Sequence, residues 1–261
     1  MAHKNRGWVP AQHGAWAMLV VPYAVGVLTR VRDGLPLPWF LAPLLAFWLL
    51  AYFAFNAVSV WLKAHPARRG PLVAPIVTYV AASAAFGVLT LVGAGPVILG
   101  WVPAYLALLA PALALAARHR ERATLAGVST TAAASLMVLV VRLPDFAELI
   151  AWTPPARSAA AASGLVFAYF CGTVFYVKTN IRERGNPRFY RLSVAWHAVA
   201  LLAAAALGAG GAASGAWVGL FAVATLRAAV VPRLRRPVTP LRIGLLEIAL
   251  STAILLIAAF A

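Results

Sequence analysis

The chain has 261 residues, 63% of them apolar and 11% charged, with a mean hydropathy of +0.87. That balance excludes a soluble domain of this size, because nearly the whole length divides into the ~20-residue apolar stretches that cross a ~30 Å hydrocarbon core. The net charge of +16 would suit nucleic acid, but the cations stand in short loops between apolar segments and leave no soluble basic domain, so no nucleic-acid partner is expected.

Backbone groups in lipid must be satisfied within the spanning structure. The apolar stretches are continuous runs rich in Ala and Leu, without the period-2 alternation of membrane strands, so they read as helices. The expectation is an all-α, polytopic transmembrane bundle forming one domain over residues 1–261, multi-pass in the cell membrane. Its single cysteine, Cys171, lies inside a span and offers no disulfide framework.

A polar leader runs from Met1 to Gln12, and the first span runs roughly from His13 to Leu28. Pro22 interrupts it, Arg30 and Arg32 follow, and no small-residue cleavage site is evident, so a signal peptide is not expected. Further spans fall roughly at 37–62, 72–93, 97–116, 124–141, 159–179, 192–208, 214–231 and 242–260, about nine in all. Gly93 to Pro96 and Gly208 to Gly215 read as tight hairpin connections. The longer connection from Leu143 to Ser158 carries Pro144, Pro154 and Pro155 and is expected to cap the outer mouth.

Eighteen Lys and Arg residues fall in the leader and alternate loops, against Arg30, Arg32, Arg142 and Arg157 on the other side. By the positive-inside rule the N-terminus is cytoplasmic and the C-terminus outside. Most tryptophans lie near span ends, where indole favours the interface, while Trp16 and Trp48 are expected deeper.

Two polar stripes interrupt the apolar pattern. At about 100° per residue, Tyr169, Thr173, Tyr176, Asn180, Glu183 and Arg184 share one sector of the sixth span. Tyr52, Asn56, Ser59 and Lys63 share one face of the second, which also ends in a basic loop holding Arg68 and Arg69. The expectation is that the stripes face each other and, with Arg118, Arg120, Arg122, Lys178 and Arg182, line a cationic site at the cytoplasmic surface. Phosphate is the natural ligand, since Arg binds it through paired hydrogen bonds and Lys supplies a point charge. Service to topology and to anionic lipids is the competing role for the same loop cations.

Gln12 and His13 stand where the first helix enters the membrane, Gln12 as a head-group contact and His13 as an acid or base near neutral pH. A helix-entry hydrogen bond competes with that role. Glu183 is the candidate base, with an ordinary ion pair to its neighbours Arg182 and Arg184 as the competing role. Glu247 lies inside the last span, where an ionised group needs a partner, and Arg227 on the preceding span is the expected one. His197 reads as an interhelical hydrogen-bonder. Five scattered histidines and one cysteine offer no metal-ligand spacing, so neither metal nor cofactor is expected.

The stretch from Pro10 to Leu19, PAQHGAWAML, resembles the opening of the YwiC-like family of bacterial membrane proteins. The resemblance extends over most of the chain, including Arg182 to Arg191, and implies a multi-pass membrane protein without an assigned chemistry. A looser resemblance is to the UbiA superfamily of intramembrane prenyltransferases. Asn56 and the loop Arg68-Arg69-Gly70-Pro71-Leu72 are similar to its first motif region, and Lys178 to Glu183 holds the place of its second. That resemblance implies a nine-helix arrangement with a cytoplasmic-side site. The aspartates that would bind Mg²⁺ and diphosphate are missing: no Asp follows Asn56, and the sixth span offers Glu183 alone.

The leading expectation is therefore binding, and by extension metal-independent transfer, of a phosphorylated isoprenoid or lipid, with membrane lipids as partners. The alternatives are a proton-coupled transporter or permease for a small anion, with Glu247 or His13 handling protons, and a non-catalytic membrane assembly factor.

Overall fold

The computed structural model describes residues 7–10, 15–120, 123–234 and 238–261. Ten α-helices follow in order: α1 Ala15–Arg32, α2 Leu41–Lys63, α3 Val73–Ala94, α4 Val102–Ala117, α5 Thr124–Arg142, α6 Phe146–Ile150, α7 Pro154–Ile181, α8 Pro187–Ala209, α9 Gly215–Val230 and α10 Pro240–Phe260. Among the described residues, eight helical segments are long and apolar enough to cross a membrane: α2, α5, α7, α8 and α10, and α3, α4 and α9 taken with the 3₁₀ turns Gly70–Leu72, Pro96–Trp101 and Val231–Arg233 that adjoin them. The protein is a polytopic helical membrane bundle. α1 adds a ninth long helix of 18 residues, packed against α5 and α10.

Helix starts follow simple chemistry. Proline stands in the first turn of α7, α8 and α10, where its missing N–H is no loss. Asn186 caps α8 by accepting from the N–H groups of Arg188 at 3.1 Å and Phe189 at 3.2 Å. These signals extend two helices beyond their expected limits. α7 begins at Pro154 instead of residue 159, and α8 begins at Pro187, inside the cationic stretch, instead of 192. The connection between α5 and α7 is correspondingly shorter than expected. Within it, α6 is capped by Asp145 and packs on the 3₁₀ turn Pro96–Trp101, where Phe146 meets the Trp101 ring edge-on at 4.9 Å.

α5 and α7 form the interior, with 61% and 56% of their apolar windows buried against 17–33% for the other six. One apolar core joins α1, α2, α5, the start of α7 and the Pro96–Trp101 turn around Leu44, Trp48 and Met137. A second joins α1, α7, α8, α9 and α10 around Val25, Phe170, Phe221 and Ile254. Trp48 is buried and donates its indole N–H to the Leu19 carbonyl at 3.1 Å, while Trp16, at the start of α1, is exposed on the bundle surface. Gly26 lets α1 lie on α5: a Cβ there would stand 2.7 Å from the Cβ of Val141.

The end of the bundle opposite the cationic loops has its own use for cations. Arg30 donates from Nη1 to the carbonyls of Val141 at 3.0 Å and Arg142 at 3.1 Å, at the C-terminus of α5 where helix carbonyls lack intrahelical partners. Arg142 in turn pairs with Asp33 at 2.6 Å, and Arg32 pairs with the other oxygen of Asp33 at 2.9 Å.

Candidate functional site

The upper three residues of the α7 stripe find their partners on α9 and α10. Tyr169 donates its hydroxyl to Glu247 Oε2 at 3.0 Å, and Thr173 donates to the same oxygen at 2.8 Å. Arg227 Nη1 pairs with Glu247 Oε1, and its guanidinium lies 4.1 Å from the centre of the Tyr176 ring. The partnership between Glu247 and Arg227 is thus formed as the residue types required. A carboxylate inside a bundle receives one cation and two hydroxyl donors, which is how such a charge is tolerated at depth.

The stripe continues to the basic end of the bundle. Asn180 donates to the Tyr176 carbonyl at 2.9 Å and, with Thr179, Glu183 and Arg184, lines a pocket against the α8 start and the α9–α10 connection. Asn186, Tyr190, Val231, Arg233, Leu234 and Val238 also line it. The pocket offers about 180 Å³, far above the ~10–15 Å³ that admits one water. Its apolar side continues into a small cluster of Tyr176, Ala228 and Ile243, of which Tyr176 is also the ring beneath Arg227.

Hydrogen bonds hold the polar wall in place. Glu183 Oε2 accepts from Asn186 Nδ2 at 2.9 Å, so the candidate base is tied to the residue that caps α8. Tyr190 donates its hydroxyl to the Ala229 carbonyl at 2.9 Å, and the Arg233 guanidinium lies 5.0 Å from its ring centre. Arg184 is exposed at the rim.

Other expected site residues stand elsewhere. α2 packs chiefly on α3, and α7 chiefly on α5 and α8, so helix packing does not set the two stripes against each other. Tyr52, Asn56 and Lys63 are half-buried on α2, and Arg68 is exposed in the 3₁₀ turn after it. Arg69 folds back on α2, donating to the carbonyls of Ala64 at 3.1 Å and Leu62 at 3.4 Å, with its guanidinium 4.5 Å from the Trp61 ring centre. Lys178 donates to Thr124 Oγ1 at 2.8 Å and so ties α7 to α5. Arg118 and Arg182 are exposed. Gln12, His13 and Arg122 lie outside the described residues.

Sequence reasoning counted Arg233 only as a topology cation and passed over Tyr190 and Asn186 as pocket residues. Asn-Pro before an apolar run was the available signal for the cap at Asn186. Nothing local marked Arg233, which is more than 45 residues from the α7 stripe it joins.

A family model described as YwiC-like protein matches residues 9–142. A Bacillus subtilis (strain 168) protein described as uncharacterized protein YwiC is 31% identical over 209 residues, which cover 77% of this chain and 79% of that protein. The chain belongs to the YwiC-like family. No solved structure matches it. The stretch matched by the YwiC-like family model ends at Arg142, the last residue of α5, and the pocket and the Glu247 pair both lie in the helices that follow.

Proposed function

We propose that this YwiC-like membrane protein binds the phosphorylated head group of a membrane lipid or isoprenoid in the pocket between the α7–α8 turn and the α9–α10 connection. The observation that supports it is the pairing in one pocket of two arginines, Arg184 and Arg233, with the amide of Asn180 and an apolar wall of Val231, Leu234 and Val238. Guanidinium groups bind phosphate oxygens through paired hydrogen bonds, and the apolar wall suits the first carbons of a lipid chain. The orientation expected from the loop cations puts this pocket at the cytoplasmic surface, where anionic head groups concentrate. Asn180 and Glu183 of the pocket fall within Lys178 to Glu183, the stretch that the UbiA-like resemblance singles out, while Arg184 and Arg233 fall outside it.

Glu183 is the one carboxylate on the described wall. A single carboxylate is a poor Mg²⁺ site, so the arginines neutralise the phosphate on this reading. Group transfer would extend the same reading, with Glu183 as the base at the pocket.

Mass spectrometry of lipids retained through mild detergent purification tests the proposal. The wild type is expected to hold a specific anionic phospholipid or isoprenoid phosphate that Arg184→Ala/Arg233→Ala loses. Lys63→Ala/Arg182→Ala, which removes the same charge away from the pocket, is expected to keep it. Identical bulk lipid in all three proteins overturns the proposal.

A further inference from the structure

Arg227 is buried, and only one of its three nitrogens is used: Nε and Nη2 have no hydrogen-bond partner among the described residues. Other buried polar atoms on α7, α8 and α10 are in the same condition. The Tyr176 hydroxyl, on the ring beneath the guanidinium, is unpartnered, and so are Ser193 Oγ and His197 Nε2 on α8 and Ser251 Oγ one turn from Glu247. Each of these side chains is more than nine-tenths buried. A buried polar group left unpaired is costly, so several of them on helices packed together mark a place built for a polar guest.

The chemistry of the cluster selects the guest. Two guanidinium N–H groups, a phenol and two serine hydroxyls are all able to donate. His197 Nδ1 lies 2.7 Å from the Ser193 carbonyl, which can only accept, so Nδ1 carries the proton and Nε2 is the one atom of the set that can accept but not donate. The set is rich in donors and suits an anion. Electroneutrality then imposes a condition. Arg227 is already balanced by Glu247, and an anion added to that pair would leave one uncompensated negative charge in a low-dielectric interior.

We propose that the space around Arg227 and Glu247 is a binding site for a small monovalent anion, taken up together with one proton that neutralises Glu247. The proton comes from the aqueous phase and adds to the carboxylate. Glu247 as a neutral acid stays hydrogen-bonded to Tyr169 and Thr173, and Arg227 exchanges its carboxylate partner for the anion. Charge is the same before and after: one cation and one anion.

Among the described residues, the titratable and charged groups facing Glu247 are Tyr169 and Tyr176 from α7 and Arg227 from α9, with His197 from α8 in electrostatic contact with Arg227. α1, the remaining neighbour of α10, contributes the apolar residues Met18, Val21 and Val25 to this core. Glu247 is therefore the group whose charge the anion must displace. The site is separate from the lipid pocket, and its existence does not depend on that reading.

Chloride is the probe. Purified protein is titrated with sodium chloride against sodium gluconate at constant ionic strength, with thermal unfolding as the readout between pH 5 and pH 8. Saturable stabilisation by chloride is expected in the wild type. Its apparent Kd should rise with pH, by up to about tenfold per unit, because one proton is taken up with each anion. In Glu247→Gln the partner is permanently neutral, so chloride should bind as tightly at pH 8 as at pH 5. That is a gain at pH 8 which misfolding cannot imitate. Arg227→Gln/Glu247→Gln, a neutral pair, should lose chloride binding altogether. No saturable chloride effect in the wild type overturns the proposal and assigns the unpartnered atoms to water. Retention of the wild-type pH slope in Glu247→Gln, or of binding in the double variant, overturns it as well.

Discussion

Tyr169 on α7 and Glu247 on α10 are joined by a 3.0 Å hydrogen bond, 78 residues apart in sequence. With Thr173 it explains where the polar face of α7 goes. Two turns of that face are consumed by an intramembrane carboxylate, and the remaining turns, from Thr179 onward, open into the pocket at the basic end.

Removing one hydroxyl from this arrangement should be measurable but not fatal. Tyr169→Phe and Thr173→Val each leave Glu247 with one donor fewer, and interhelical hydrogen bonds in membranes contribute about 0.6 kcal/mol on average and up to ~1.7. Losses within that range are expected in denaturant or thermal unfolding of the detergent-solubilised protein. The double variant should lose more than the sum, because the carboxylate then has only Arg227. An additive double variant would show that water replaces the hydroxyls freely.

Asn186 has two tasks, capping α8 through its carbonyl oxygen and holding Glu183 through its amide. Asn186→Ala should cost about 0.5–2 kcal/mol of stability, as cap removals do. Asn186→Asp keeps the cap but sets a second carboxylate against Glu183. It should fold nearly as well as the wild type and retain less anionic lipid. Equal lipid retention in Asn186→Asp would separate the α8 start from the pocket.

The contact between α1 and α5 is testable through two glycines. Gly26→Ala places a methyl 2.7 Å from Val141 Cβ and 3.2 Å from the Val138 carbonyl oxygen, so one helix must move. Overpacking of that kind costs about 1–3 kcal/mol. Gly164, on the exposed side of α7, has nothing within 4 Å of its added methyl, and Gly164→Ala should be neutral or slightly stabilising. Similar unfolding midpoints for the two variants would contradict the packing described.

Asp33, in the loop after α1, gives a pH prediction. Partial burial alone would raise its carboxyl pKa, but hydrogen bonds from Arg142 and Arg32 outweigh this and hold it below the usual carboxylate value. A carboxyl with a lower pKa folded than unfolded adds stability that is complete above its unfolded pKa, about 3.9, and is lost as pH falls through the folded value. The wild type should therefore lose this contribution only in acid, below about pH 4. Asp33→Asn should be less stable than the wild type at pH 7, by under about 1 kcal/mol for so exposed a carboxylate. The two proteins should converge at the acid end. A constant difference across the titration would place the effect outside this ion pair.

By itself the sequence determined that this protein is a polytopic helical membrane protein, roughly where its helices run, which cations gather at which end, and that Glu247 needs Arg227. Each of these follows from local rules: hydropathy over about 20 residues, the 100° step of a helix, and the cost of a charge in lipid. The Pro10 to Leu19 stretch also carried the family. Which helices become neighbours is decided by side-chain shape over separations of tens of residues, and there the tertiary structure alone spoke. It turned the α7 stripe toward α9 and α10 instead of α2, brought Arg233 beside Arg184, and folded Arg69 back onto the end of its own helix. Apolar faces rich in Ala and Leu are nearly interchangeable in sequence, so which helix an apolar face packs against, and which polar side chains then meet, is legible only once the bundle is assembled.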